Sequence, residues 1–149
     1  MGLYHSASQD MGPSELTVLD YVGISLWVVG FLLETIADLQ KQQWSMIKAD
    51  KKFIKTGLWS ISRHPNYFGE ITLWVGIAIT TSCSFVYPAQ WMALLSPAFV
   101  AFLLVHVSGI PLLEKAADEK WEQDEEYRKY KESVPVLIPF VGRKGDAKF

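Results

Sequence analysis

ITLWVGIAITTSCSFVYPAQWMALLSPAFVAFLLVHVSGIPLL, residues 71–113, contains no Asp, Glu, Lys or Arg. A membrane crossing takes about 20 apolar residues, so this block fits a pair of crossings. Tyr87-Pro88-Ala89-Gln90 reads as the turn between them, because proline stops helix continuation. That predicts one span from about 71 to 85, extended by its neighbours, and another over 91–110, closing at Ser108-Gly109-Ile110-Pro111. Tyr87 and Trp91 flank the turn, where amphipathic rings favour the membrane–water interface.

Upstream, LDYVGISLWVVGFLLETIA (19–37) is another apolar segment long enough to span, with Glu34 and Asp38 at its far end. Downstream, the chain becomes densely charged from Glu114, with helical spacing to about Ser133. The expected fold is therefore all-α: a polytopic membrane bundle of three transmembrane helices with a C-terminal cytosolic amphipathic helix. The proline-broken apolar stretch VPVLIPF (134–140) suits a docked or interfacial strand-like segment better than a fourth span. Residues 1–17 read as a polar leader, 18–142 as the membrane domain and 143–149 as a charged tail. The leader lacks the basic start and apolar run of a signal peptide.

Composition narrows the function. Half of the 149 residues are hydrophobic and a fifth are charged, which excludes an ordinary disordered chain. A net charge of −2 leaves no electrostatic footprint for nucleic acid. The single cysteine, Cys83, excludes an internal disulfide framework and a cysteine-built zinc site. No metal-ligand spacing stands out, and no glycine-rich phosphate loop occurs. The basic residues set the orientation. None precedes Lys41; Lys41, Lys48, Lys51, Lys52, Lys55 and Arg63 lie between the first two spans, and the rest follow Glu114. Three crossings put both basic regions on one side, the cytoplasmic side by the positive-inside rule.

Three polar constellations could carry chemistry. Glu34 and Asp38 are four residues apart and share a helix face, extended by Gly30 and Lys41; they read either as helix-end carboxylates reaching water or as part of a polar pocket, since carboxylates at membrane depth are costly and face a cavity or a partner. The string GLWSISRHPNYFGE (57–70) concentrates Arg63, His64, Asn66, Tyr67 and Glu70 just before a span. Pro65 biases His64 away from helix, so Asn66 is placed to cap a new helix. Arg63 offers a planar fork for phosphate or carboxylate; the plainer alternative is an interfacial anchor. In the third, Glu114 lies near the membrane surface, and Tyr127 and Tyr130 share a helix face beside Lys131. The acidic cluster 118–126 reads as a solvated face. His106, alone in an apolar span, reads as a partner for a neighbouring helix rather than a metal ligand.

ETIADLQK (34–41), GLWSISRHPNYFGE (57–70), SGIPLLEK (108–115) and EYRKYKESVPVLIPF (126–140) together resemble the DUF1295 family, which is similar to the C-terminal domain of steroid 5-alpha-reductases. More distantly, the RHPNY string and the tail resemble sterol C14 reductases and isoprenylcysteine carboxyl methyltransferases. The resemblance implies an integral, multi-pass membrane enzyme of the endoplasmic reticulum or bacterial inner membrane, using NADPH to reduce a C=C bond of a lipid- or steroid-like enone. It implies that Glu34, Asp38, Arg63, His64, Asn66, Tyr67, Glu114, Tyr127 and Tyr130 line the cofactor. Tyr67 and Glu70 are the candidate catalytic residues, with Tyr67 as proton donor. It also implies further spans upstream, carrying acidic and tyrosine residues that touch the enone; with no counterpart for them here, the chain reads as a truncated gene model, a half-protein needing a partner that supplies them, or a degenerate form. Two other readings are a methyltransferase using S-adenosylmethionine and a non-catalytic membrane fragment.

Overall fold

A computed structural model of the chain describes residues 16–47 and 53–141. The polar leader, apart from Leu16 and Thr17, and the charged tail lie outside the described residues, as do Lys48, Lys51 and Lys52. The described residues form helices and connectors with no strand.

Helix α1, Val18–Met46, starts at a capping box: Asp20 N–H donates to the Thr17 hydroxyl at 3.3 Å and the Asp20 carboxylate receives Thr17 N–H at 2.8 Å. Its 29 residues span about 44 Å, so it outreaches a hydrocarbon core of about 30 Å. A single 3₁₀ turn, Gly57–Ser60, leads to α2, Pro65–Ser82. The next helical run begins with a 3₁₀ stretch, Pro88–Leu94, continues as α3, Leu95–Phe102, and ends in a π-helical turn, Leu103–Val107. After Ser108 and Gly109 come α4, Ile110–Trp121, and α5, Glu125–Ser133.

Local boundaries depart from the sequence expectation in three places, two for one reason. Helix α2 starts at Pro65 with His64 as its N-cap, rather than at an Asn66 cap, and Pro88 opens a helical run instead of forming the turn. Proline lacks the N–H that a first turn leaves unpaired, so it starts helices as readily as it stops them. The third departure divides the charged helix: Asp124 accepts the N–H of Glu126 at 2.9 Å and of Tyr127 at 3.4 Å, capping α5 and splitting it from α4.

Helices α1 and α2 pack antiparallel through small residues spaced by seven. Gly23, Gly30 and Ala37 are the buried positions of α1, and Gly69 and Gly76 are buried on α2. A Cβ on Gly30 would lie 2.4 Å from the Leu73 backbone nitrogen, and one on Gly76 would lie 2.5 Å from the Gly23 carbonyl oxygen. The backbones are therefore in direct contact, the close approach that small residues permit between membrane helices. Gly30 thus faces α2, as do Glu34, whose backbone nitrogen would lie 2.5 Å from a Cβ on Gly69, and Asp38, which accepts the Asn66 amide.

Two helical runs are long and apolar enough to cross a membrane, Val18–Met46 and Pro88–Trp121. Helix α2 is not one of them: its first turns carry Asn66 and Glu70, leaving a shorter apolar portion. Trp27, Phe31, Leu95, Phe99 and Phe102 are exposed along the two runs, an apolar surface that soluble monomers rarely present. The described core is concentrated at one end, where Ala37, Trp59, Ile110, Tyr127, Tyr130 and Val134 are buried with Ser62, His64 and Ser133.

Candidate functional site

At that end the connector before α2 is held from every side. The Trp59 indole N–H donates to the Ala37 carbonyl on α1 at 3.0 Å, and the Tyr130 hydroxyl on α5 donates to the Trp59 carbonyl at 2.7 Å. Gly57 adopts φ +62° at the start of this turn, a conformation that favours glycine, and Leu58 N–H beside it donates to the Gln40 side chain at 2.9 Å. An ion pair joins Lys55 to Glu126. The tail docks on the same loop: Arg63 N–H donates to the Pro135 carbonyl at 2.9 Å and the Ser62 hydroxyl to that of Leu137 at 2.7 Å. The 57–70 string and the α5 tyrosines, distant in sequence, are thus packed together.

Arg63 and His64 converge on Glu114. The guanidinium forms an ion pair with one carboxylate oxygen, and His64 Nε2 lies 2.7 Å from the other. Lys131 Nζ stands 4.0 Å from the same carboxylate and 2.5 Å from Asp118, which also accepts the Tyr127 hydroxyl at 3.0 Å. Asp118, though still partly exposed, thus clamps α4 to α5. Burial pushes both Tyr127 and Tyr130 above the ordinary tyrosine range, with the Asp118 carboxylate adding to the effect at Tyr127.

Beside this cluster lies a cleft of about 190 Å³ whose walls include Lys41, Trp44, Phe53, Trp59, Arg63, His64, Glu114, Trp121, Tyr127 and Tyr130. Phe53 sits 5.3 Å from both tyrosine rings, centroid to centroid, and Lys41 Nζ lies 5.5 Å from the Trp59 ring centre. Of the sequence-derived candidates, Arg63, His64, Glu114, Tyr127 and Tyr130 meet here. Glu34 and Asp38 line a separate hollow of about 470 Å³ with Phe31, Thr35, Leu39 and Gln42. Asn66 and Tyr67 link the two. The Asn66 amide donates to Asp38 at 3.2 Å, and the Tyr67 ring stacks on His64 at 5.7 Å. Glu70 lies within electrostatic range of Glu34 and Tyr67.

The sequence reading passed over Phe53, Trp121 and the role of Asp118. Nothing in local spacing pairs Asp118 with a tyrosine nine residues on. The available signal was Asp124-Glu125-Glu126, a cap followed by acidic first-turn residues that marks a new helix. Two buried side-chain atoms lack a hydrogen-bond partner among the described residues: Arg63 Nε and Asn66 Oδ1. No group of three or more His, Cys, Asp or Glu able to hold a metal occurs among the described residues.

A family described as "Protein of unknown function (DUF1295)" matches residues 1–134. The chain belongs to the DUF1295 family. Among curated proteins, this DUF1295 chain is 29% identical over 120 residues to 3-oxo-5-alpha-steroid 4-dehydrogenase 1 of Rattus norvegicus, covering 80% of the chain and 40% of that relative. It is 26% identical over 141 residues to uncharacterized protein C594.04c of Schizosaccharomyces pombe, covering 80% of the chain and 39% of that relative. The DUF1295 chain spans about two-fifths of the length of these relatives. No solved structure matches it.

Proposed function

We propose that this chain is the NADPH-binding part of a membrane reductase acting on a C=C bond of a lipid- or steroid-like enone. The observation that carries the reading is the pair of unpartnered buried atoms. Arg63, in the wall of the aromatic cleft, has a buried donor in its Nε, and Asn66, whose amide donates to Asp38 of the acidic hollow, has a buried acceptor in its Oδ1. A buried polar atom without a partner is costly, and a nucleotide offers the complements: phosphate oxygens for the donor, hydroxyl or carboxamide N–H groups for the acceptor. The aromatic cleft is smaller than the roughly 300–1,000 Å³ of pockets that enclose drug-sized ligands. It therefore suits one end of a dinucleotide, with the neighbouring hollow for the rest. The likeness to a rat enzyme named for 3-oxo-steroids supports the substrate class.

Each side chain then has a task. Glu114 fixes the Arg63 fork and leaves its Nε–H to bind a phosphate. Glu34 and Asp38 would accept hydrogen bonds from hydroxyl groups, with His64, Tyr127 and Tyr130 lining the cleft. Bound there, NADPH would supply a hydride to the β-carbon of the alkene. Tyr67, stacked on His64, would donate a hydrogen bond to the carbonyl oxygen on which charge develops, and Glu70 would take part in its proton exchange. A partner or further spans would complete the substrate pocket, in keeping with the share of the rat relative that the chain matches. The basic 53–63 connector and α5 lie together, which supports a cytoplasmic site in a multi-pass protein of the endoplasmic reticulum or bacterial inner membrane.

Three tryptophans line the cleft, Trp44, Trp59 and Trp121, so fluorescence quenching of the protein in nanodiscs reports its occupancy. Saturable quenching by NADPH and not by S-adenosylmethionine is expected. Arg63→Lys keeps a charge for Glu114 but loses Nε–H; both it and Arg63→Ala should weaken NADPH binding by about 10- to 100-fold, the worth of a charged hydrogen bond. Saturation by S-adenosylmethionine alone would replace the reading with methyl transfer. Saturation by neither would leave a membrane module without this cofactor.

A further inference from the structure

Residues 134–141, Val-Pro-Val-Leu-Ile-Pro-Phe-Val, have two faces. The inner face is spent on the connector: Val134 is 2% exposed, and the Pro135 and Leu137 carbonyls accept from Arg63 N–H and the Ser62 hydroxyl. Phe140 N–H reaches the Ile61 carbonyl at 3.4 Å. The outer face is Val136, Ile138, Phe140 and Val141, all exposed, with Ile138 at 51% and Phe140 at 64%. No charge interrupts it.

The height of this strip is set by its partners. Ser62 and Arg63 immediately precede Pro65, the first residue of α2. Arg63 and His64 bind Glu114, one residue after the exposed Leu112 and Leu113 that close the uncharged run. The outer strip, the start of α2 and the end of the apolar run are therefore at one level. If the two apolar runs cross a bilayer, that level is its border on the side of Arg63. The sequence that follows, 142–149, carries Arg143, Lys144 and Lys148 against one acidic residue, Asp146, the balance that anionic headgroups favour.

We propose that residues 136–141 are an interfacial anchor, seated in the headgroup–acyl boundary of the leaflet nearest Arg63 and favouring anionic lipid. An apolar strip with basic residues beyond it is the usual composition of segments that lie in that plane. The anchor is tied to the backbone of Arg63 through Pro135, so it also sets the depth of Arg63 below the headgroups. It rests on the membrane reading but not on the cofactor.

The test is nitroxide depth measurement on the full chain in vesicles of phosphatidylcholine with a minor share of phosphatidylglycerol, in a Cys83→Ser background. Single cysteines at Val136, Ile138 and Phe140 carry the label. Val29, exposed on α1, is the lipid reference, and Lys129, exposed on α5, the water reference. The expected result is that the three labels collide with oxygen in preference to a water-soluble nickel chelate, as Val29 does, and that lowering phosphatidylglycerol shifts them towards water. Labels that behave like Lys129 would overturn the anchor, and so would labels shielded from both reagents, which would mean a protein covers the strip. A Val29 label in water would instead bring down the membrane reading itself.

Discussion

Arg63 is nine-tenths buried and Glu114 four-fifths buried, so each is held in place by the other's charge. Removing one partner of such a pair leaves an uncompensated charge and costs about 3 kcal/mol. Glu114→Gln should therefore destabilise the protein by roughly that amount, because it removes the negative charge that Arg63, His64 and Lys131 share and turns one acceptor oxygen into an amide donor. Arg63→Ala leaves Glu114 with His64 and Lys131, and the double variant should fall short of the summed cost by about 1 kcal/mol or more. Unfolding in mixed micelles, followed by circular dichroism, measures the cycle; additive losses would mean the pair is uncoupled. The tyrosines give a pH signature. Tyr127 and Tyr130 have folded-state values raised above the ordinary one of about 10. Above that pH the unfolded chain releases protons that the folded one retains, so their contribution is intact below about pH 10 and falls as pH rises beyond it. Thermal scans from pH 9 to 11 should show that loss, shallower in Tyr130→Phe.

At the scale of helices, the α1–α2 contact is the tightest packing. Gly30→Ala or Gly76→Ala drives a methyl into the partner's backbone rather than into a movable side chain. Overpacking of this kind costs about 1–3 kcal/mol, so either variant should lower the micelle unfolding midpoint, whereas Val29→Ala, at an exposed position, should shift it little. This contact was readable in advance as small residues at 23, 30 and 37 and at 69 and 76. The grouping of Gly30 with Glu34 and Asp38 marks the same face, since Glu34 and Asp38 also meet α2 at Gly69 and Asn66. The helical character of the chain was legible because uncharged length and proline position are local properties. The break at Asp124 had its signal in the cap and acidic first turn, but the clamp by Asp118 had none: Tyr127 reaches Asp118 only once α5 folds back on α4, and a nine-residue spacing does not reveal that contact. The meeting of Arg63 with Glu114 lies between these cases. Its residues stood out by type, yet only their placement at the ends of two apolar runs argued that they meet.

For the whole molecule, the packing of α1 on α2 bears on how many times the chain crosses. Helix α2 lies antiparallel to α1 along its whole face, so if α1 spans, α2 is carried across beside it even though it falls short of an independent span. Cys83 caps the far end of α2, exposed, with its sulfur 3.8 Å from the Thr17 hydroxyl at the start of α1. Arg63 and the docked tail stand at the other end. Three crossings therefore place Cys83 and α5 on opposite faces of the membrane. In sealed, oriented vesicles an impermeant maleimide should label Cys83 from one side only. A cysteine introduced at Lys129 in the Cys83→Ser background should be labelled only from the other. Helix α2 rises about 27 Å over its 18 residues, close to the hydrocarbon thickness, so Cys83 should sit at the opposite border rather than within the acyl chains. Labelling of both positions from one side would mean that the run Pro88–Trp121 does not cross and, since Arg63 is held beside α5, that α2 does not either; it would remove the argument that places both basic regions, and with them the cleft at Arg63, on the cytoplasmic face.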